Sequence, residues 1–474
     1  VSQYDDTSDT TASDRPVART LTRAAGRPDL EPAPVRIVHL GLGNFFRAHL
    51  AWYTHRAPGR WGIAAFTGRR DGPADALRPQ EGLYTLVTRH EDGDRFEVVG
   101  SVSAVHSAAD HDAWLGYFRS PDLAVVTSTV TEAAYLHVPG SGLDTDHSGV
   151  REDVETLRRD PTAPVSTVPA RLLAGLLARA RAGLGPITLV PCDNLPHNGS
   201  VLRAVVRDVA ALVDPDLLPL VERTAAYATT VVDRITPRTT DEDRDAVLAR
   251  TGARDASPVV TEPFSQWVIG GGFPAGRPDW EAVGAVVTDD VTPYEQCKLT
   301  LLNGGHSLLA YAGSARGHTT VADAVDDPVC LGWLREWWEE ARPHLDLPED
   351  EIEDYLDALL RRWSNPRMRH LLAQIAADGS VKLPVRILPT VRAERARGRM
   401  PRAASRVLAA WVCHLRGLGA PVSDPRSQPA RKAAAGPVDE AVPRVLALLD
   451  PSLAHDTTLV AEIARRVEEL DAAS

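Results

Sequence analysis

Lysine is nearly absent. Of 52 basic residues only three are lysines, Lys298, Lys382 and Lys432. A GC-rich coding style that prefers arginine accounts for the bulk of this bias. Where arginine serves almost everywhere, a retained lysine is a candidate for a group that must lose its proton, which arginine cannot do at usable pH. Lys432, in the loop-like RSQPARKAAAG, is read as a chance survivor. Cysteine is scarce too. Cys192, Cys297, Cys330 and Cys413 form no CxxC or Cys/His cluster in the sequence, which argues against a disulfide framework and a metal site and fits a reducing cytoplasm. No apolar run approaches the roughly 18 residues of a membrane span. The Ser/Thr-rich, acidic N-terminus lacks the apolar stretch of a secretory signal, and residues 1–30 are expected to be a disordered tail. Excess positive charge is also missing. A net charge of −12 argues against a nucleic-acid partner, but not against a small anion, since a local cationic cluster reverses the sign inside a cleft.

At 474 residues the chain is expected to form two domains. VRIVHLGLGNFFRAHLAWYTHRA reads as strand, glycine turn and helix, and WGIAAFTG as a second strand. LYTLVTR and RFEVVGSVSAV, split by HEDGD, read as a hairpin. LAVVTSTVT and PITLVPCDN are further buried strands, with the helical ARLLAGLLARARAGLG between them. This alternation predicts an α/β domain with a mostly parallel sheet over residues 31–290. Beyond it helical spacing dominates and strands are absent, so residues 291–474 are expected to form a mainly α-helical domain, with a surface loop near 420–437.

Four segments carry chemistry. In GLGNFF, Gly41 and Gly43 let the backbone turn tightly and approach a pyrophosphate at a helix N-terminus. The third glycine of GxGxxG is replaced by Phe46, and an ordinary strand–helix turn fits alone equally well. After the second strand, Asp71 suits a ribose hydroxyl and the neighbouring arginines suit a 2′-phosphate, so NAD and NADP both stay open. Glu295, Lys298, Asn303 and His306 share one broad face of a helix, within about 140° at about 100° per residue. A solvated polar face is the simpler explanation on spacing alone. The surrounding leucines and the rarity of lysine instead point to a buried general base with two neighbouring hydrogen-bonding groups. PCDNLPHNG puts Asn194 at a strand end where open α/β sheets bind ligands, though it also reads as a turn. In VVDRITP, Asp233 and Arg234 suit an ion pair or a substrate contact.

These segments resemble the mannitol dehydrogenase family of polyol-specific long-chain dehydrogenases. The resemblance rests on GLGNFFRAH, TSTVTEAAY, PCDNLPHNG, VVDRITP, TEPFSQWVI, PYEQCKLTLLNGGHSLLAY and NPRMRHLLAQIAADGSVKLP, in that order, over roughly residues 35–415. It implies a Rossmann-type domain followed by a helical domain, no metal, and NAD (NADP not excluded) along Gly41, Leu42, Gly43, Asn44, Phe45 and Phe46, bordered by Thr131 and Glu132. It implies Lys298 as catalytic base, Asn194 and Asn303 as the alkoxide-binding pair, His306 as the residue orienting substrate, and Glu295 as the group passing the proton to solvent. Asp233 and Lys382 match substrate-contacting positions. The chain departs from the family at Ala133 and Ala134, at Gly270–Gly272, and at Gln374, where mannitol-oxidising members carry arginine. QIAADGSVKLPVRILP resembles more the branch that interconverts fructuronate and mannonate, with Lys382 and Arg386 neutralising a sugar carboxylate. The expected partner is therefore a small polyol or uronate, with no nucleic acid or membrane, acted on by a monomer or small homo-oligomer. A polyol dehydrogenase and a non-catalytic nicotinamide-binding paralogue are the rivals.

Overall fold

A computed structural model describes residues 19–23, 30–68 and 70–472. Six strands form the first layer: β1 (Val35–Leu40), β2 (Gly62–Phe66), β3 (Val102–His106), β4 (Val125–Ser128), β5 (Ile187–Pro191) and β6 (Ala225–Tyr227). All pair in parallel, in the spatial order β3-β2-β1-β4-β5-β6. That is the doubly wound Rossmann order, with its reversal between β1 and β4. The central strands are buried on both faces because helices cover each side, which is why they read as apolar runs rather than alternations. Register aligns their carboxyl ends, Leu40 opposite both Phe66 and Ser128, and Ser128 opposite Pro191. The residues that follow each strand therefore open onto one edge.

The hairpin forms as expected over Tyr84–His90 and Gly93–Val99. Val102–His106, taken with it in the sequence, instead leaves to become β3 of the main sheet. After β6 the chain runs directly into β7 (Thr229–Asp233), which pairs antiparallel with β8 (Gln266–Gly270). β9 (Val286–Thr288) completes this second sheet. Past residue 290 the described chain is helical apart from one isolated bridge, Thr320 to Leu371. It closes around a core that includes Trp337, Trp338, Trp363 and Trp411.

Two expectations are corrected. Most of the stretch expected to be a disordered tail, residues 1–18 and 24–29, lies outside the described residues. Arg19–Thr20, however, is a strand parallel to Ala253–Arg254, and Arg23 donates to Glu81 and to the Gly100 and Val102 carbonyls. The loop expected near 420–437 contains a helix, Ser427–Ala434, which carries Lys432 and buries Ala430 and Ala434 in the helical core. Its alanines decide the matter once there is a core to receive them. Among the described residues no helix is long and apolar enough to cross a membrane.

Candidate active site

The glycine turn sits at the switch point between β1 and β4. The Gly41 and Leu42 amides both donate to the Phe66 carbonyl, at 2.9 and 3.0 Å, folding the chain over the end of β2. Gly41 has φ +113°, and a Cβ there would lie 2.2 Å from the Thr129 carbonyl oxygen, so no other residue fits. Gly43 is extended and precedes helix α1 (Asn44–Ala48), whose N-terminus has no side-chain cap. Phe46, in place of the third glycine, stacks flat on His39 with ring centroids 3.7 Å apart. His39 is hydrogen-bonded to Thr127 and Thr129, and burial pushes its pKa down to about 3. It is thus a neutral spacer that lets a large residue replace the glycine. Asn44 accepts from Arg47, and Phe45 stacks on His49 at 5.0 Å. Thr131 and Glu132 are exposed beyond the end of β4, opening a short 3₁₀ turn. Asp71 accepts from Thr67 at 2.9 Å and Ser107 at 2.7 Å, bracing the ends of β2 and β3 while staying exposed; Arg69 lies outside the described residues.

Lys298 follows helix α2 (Thr292–Cys297) and begins a π-helical stretch, Lys298–Gly304. The expected regular helix is corrected here. Two carbonyls of the widened turn, of Thr300 and Leu301, accept from the Trp337 and Trp338 indoles at 3.1 Å each. A Cβ on Gly304 or Gly305 would press on Trp337 or Trp363 at 2.7 or 2.8 Å. Irregular helix turns of this kind recur at functional sites. Lys298 Nζ donates to Asn194 Oδ1 at 2.6 Å and to the Val232 carbonyl at 2.7 Å. Burial is the main cause holding its pKa below the ordinary lysine range, and Asp233 opposes it. Asn194, Glu295, Lys298 and Asn303 line one small cavity. Glu295 accepts from the His197 amide at 3.1 Å. His306 does not line that cavity. It packs against Trp363, 4.7 Å between centroids, and edge-on to His370. Its Nε2 has no partner among the described residues, and burial keeps it neutral by driving its pKa well below the usual range.

The remaining candidates separate. The suggested Asp233–Arg234 ion pair is corrected. Asp233 is gripped by Arg362, through two bonds of 2.6 and 3.0 Å, while Arg234 bonds the Ala48 and Glu262 carbonyls and lies over Trp52. The reason is reach: successive residues of a strand point to opposite faces. Arg362 lies on helix α3 (Glu349–Trp363). Sequence reasoning missed it, and one arginine among many carries no local signal. Helix α4 (Gly379–Arg386) is anchored by Asp424, which accepts from the Ser380 amide and hydroxyl at 2.7 and 2.6 Å. Lys382 Nζ is engaged with the Ala377 and Ile375 carbonyls, at 2.6 and 3.4 Å. Arg386 reaches the Asn303 carbonyl and the Ser307 hydroxyl at 3.3 and 3.2 Å and acts electrostatically on Lys298. Gln374 is exposed and does not line the cavity.

The glycines at 270–272 have a packing role. Gly271 has φ +138°, and a Cβ there would sit 2.9 Å from Ala228 Cα, while Gly272 accepts from Thr188 at 2.9 Å. Folding also gathers His318, Asp327 and Cys330, a grouping invisible in the sequence. The Asp327 carboxylate there is already paired with Arg316 at 2.7 Å and caps the following helix through the Val329 amide.

Residues 35–282 match the family model of the mannitol dehydrogenase Rossmann domain, and residues 290–471 that of the mannitol dehydrogenase C-terminal domain. A D-mannonate oxidoreductase of Escherichia coli is 36% identical over 395 residues, 81% of this chain and 80% of the relative. A D-arabinitol 4-dehydrogenase of Ralstonia nicotianae is 38% identical over 403 residues, 82% of this chain and 85% of the relative. The solved Pseudomonas fluorescens mannitol 2-dehydrogenase, a ternary complex with NAD and D-mannitol, superposes with a TM-score of 0.77 at 31% identity, covering 96% of this chain and 94% of its own. With both halves of the chain matched in order, this protein belongs to the mannitol dehydrogenase family and is an oxidoreductase.

Proposed function

We propose that this enzyme transfers hydride reversibly between NAD and a secondary alcohol of a sugar acid, with mannonate and fructuronate as the first pair to test. The Gly41–Phe46 turn suits a dinucleotide. Its backbone is pressed against Thr129 with no side chain above Gly41, and the uncapped start of α1 offers amides to a pyrophosphate. Thr131 and Glu132 border it. When bound there, the nicotinamide supplies the hydride acceptor for oxidation and the donor for reduction.

The protein supplies the proton chemistry. A neutral lysine amine has two N–H bonds and one lone pair. Asn194 and the Val232 carbonyl take the two N–H bonds, leaving the lone pair of Lys298 to accept the hydroxyl proton. With its Oδ1 on the lysine, Asn194 has its amide N–H group left to donate to the substrate oxygen. The Asn303 side chain supplies a second donor for the developing alkoxide. Glu295, beside the exposed His197 loop, carries the proton onward to solvent, while neutral His306 lies outside the cavity, packed on Trp363. The four cysteines are free and buried, which supports a reducing, cytoplasmic setting.

Arg386 carries the sugar-acid assignment. It is a partly buried guanidinium that acts electrostatically on Lys298 and has no carboxylate partner among the described residues. A buried cation normally has a counter-charge, and a substrate carboxylate provides one in bidentate geometry. One observation favours a neutral polyol such as mannitol or arabinitol: Lys382 is spent on backbone carbonyls and adds no second free cation. The test is kcat/KM with NADH on fructuronate against fructose. Fructuronate should be preferred, and Arg386→Gln should lower its kcat/KM about ten- to hundredfold, from a charged hydrogen bond worth about 1.5–3 kcal/mol, while sparing fructose. A preference for fructose, or equal losses on both, refutes the assignment.

A further inference from the structure

Arg362 crosses from the helical half into the Rossmann half and meets two carboxylates there. Its Nη atoms donate to both oxygens of Asp233, and its Nε donates to Glu262 Oε2 at 2.7 Å. The arginine side chain is 2% exposed, Asp233 11% and Glu262 1%. The second Glu262 oxygen accepts from the Ile235 amide, and the Phe264 ring lies 4.7 Å from the guanidinium carbon. The fork is thus fixed in orientation from three sides. Asp233 is also the chain neighbour of Val232, whose carbonyl holds Lys298. Asp233 acts electrostatically on both Arg362 and Lys298, and the planar fork of arginine takes its two oxygens through two parallel bonds.

We infer that Arg362 is a positioning residue for the base: by taking both oxygens of Asp233 across the domain boundary, it keeps that carboxylate from pairing with Lys298. The inference rests on the assignment of Lys298 as base. A carboxylate within about 4–6 Å of an ammonium stabilises the charged form by about one to three pKa units, and a lysine paired in that way is a poor base. The charged groups facing Lys298 are Asp233 on β7, Arg362 on α3, Arg386 on α4 and Glu295 on its own helix. Those facing Asp233 are Arg362, Lys298, His49, Glu262, His370 and Tyr355; burial keeps both histidines neutral, with pKa values pushed down to about 3 for His49 and about 4 for His370. Without the guanidinium, Lys298 is the charged neighbour left to Asp233. Glu262, which burial raises to about 7 against the pull of Arg362, would take up a proton and remain neutral.

The experiment is the pH profile of kcat for alcohol oxidation in the intact enzyme. Arg362→Gln should move the rising limb to higher pH by about one unit or more, and Arg362→Lys, which keeps the charge but not the fork, by less. Adding Asp233→Asn to Arg362→Gln should abolish the shift, because the carboxylate is then gone. Asp233→Asn alone should move the limb to lower pH, leaving Arg362 uncompensated beside the lysine; this variant keeps the test open if Arg362→Gln fails to fold. An unmoved limb in Arg362→Gln, or an alkaline shift that survives in the double variant, overturns the inference. Lys298→Met separates the two levels. Near-normal turnover in that variant removes the base itself, whereas a dead Lys298→Met with an unmoved Arg362→Gln limb removes only the role of Arg362.

Discussion

Lys298→Met removes the proposed base and keeps most of the side-chain volume. Two acceptors lose their donor. Asn194 is exposed and can turn to water, so the structural cost falls mainly on the buried Val232 carbonyl, about 1–3 kcal/mol for one unsatisfied group. A domain stable by about 5–15 kcal/mol tolerates that, and the variant should fold. The chemical cost is larger. Loss of a positioned proton acceptor removes about 10²- to 10⁴-fold in kcat. The pH dependence should change in kind as well. Only the neutral amine accepts a proton, so wild-type oxidation should rise with pH through the lysine pKa, and reduction, which needs the ammonium as acid, should fall through the same value. Because burial depresses that pKa, the inflection should lie below the ordinary lysine range. Steady-state kinetics in both directions, with NAD binding followed by fluorescence, would test this. The variant should bind NAD as the wild type does, turn over slowly and lose the inflection. A rate within tenfold of wild type, or an inflection that persists, would refute the reasoning.

Gly41→Ala should cost more than about 1 kcal/mol of stability, since alanine is strained at positive φ and its Cβ would collide with the Thr129 carbonyl. Thermal melting and an NAD titration should both show the loss; an unchanged melting temperature would mean the turn can relax. Treatment with a chelator should leave activity intact, because the proposed lysine base stands where a bound metal hydroxide would otherwise act, and a loss restored by a divalent cation would contradict this.

Much of the architecture could be read along the chain. The apolar runs ending in Leu40, Phe66, Ser128 and Pro191 are recognisable as strands because burial on both faces demands continuous apolar sequence. The turn at Gly41 is legible because a positive φ against a neighbouring carbonyl leaves one residue type. Lys298 stands out through the scarcity of its kind. Other features stayed hidden for stated physical reasons. Val102–His106 has hairpin composition, and only the available edge of β2 sends it to the main sheet. The π turn at Lys298–Gly304 depends on indoles donated from 37 residues away, so a regular helical projection places the four polar residues only approximately. Ser427–Ala434 looked like a loop until its alanines found a core.

Lysine scarcity, the glycine turn and the ordered motifs determined the family, the α/β-then-helical order and the candidate base, because each is a local constraint on one short segment. The tertiary structure decided the electrostatics of that candidate base. Asp233 and Arg362 are 129 residues apart and Glu262 and Arg362 are 100 apart. Their charges meet only when the two halves dock. It also decided which cation lacks a carboxylate among the described residues: Lys382 and Arg386 sit one turn apart on α4, yet Lys382 is held by backbone carbonyls beside Asp378, whereas Arg386 has only the Asn303 carbonyl and the Ser307 hydroxyl. Partner choice for a buried charge is set by what else is desolvated beside it, and linear order does not contain that.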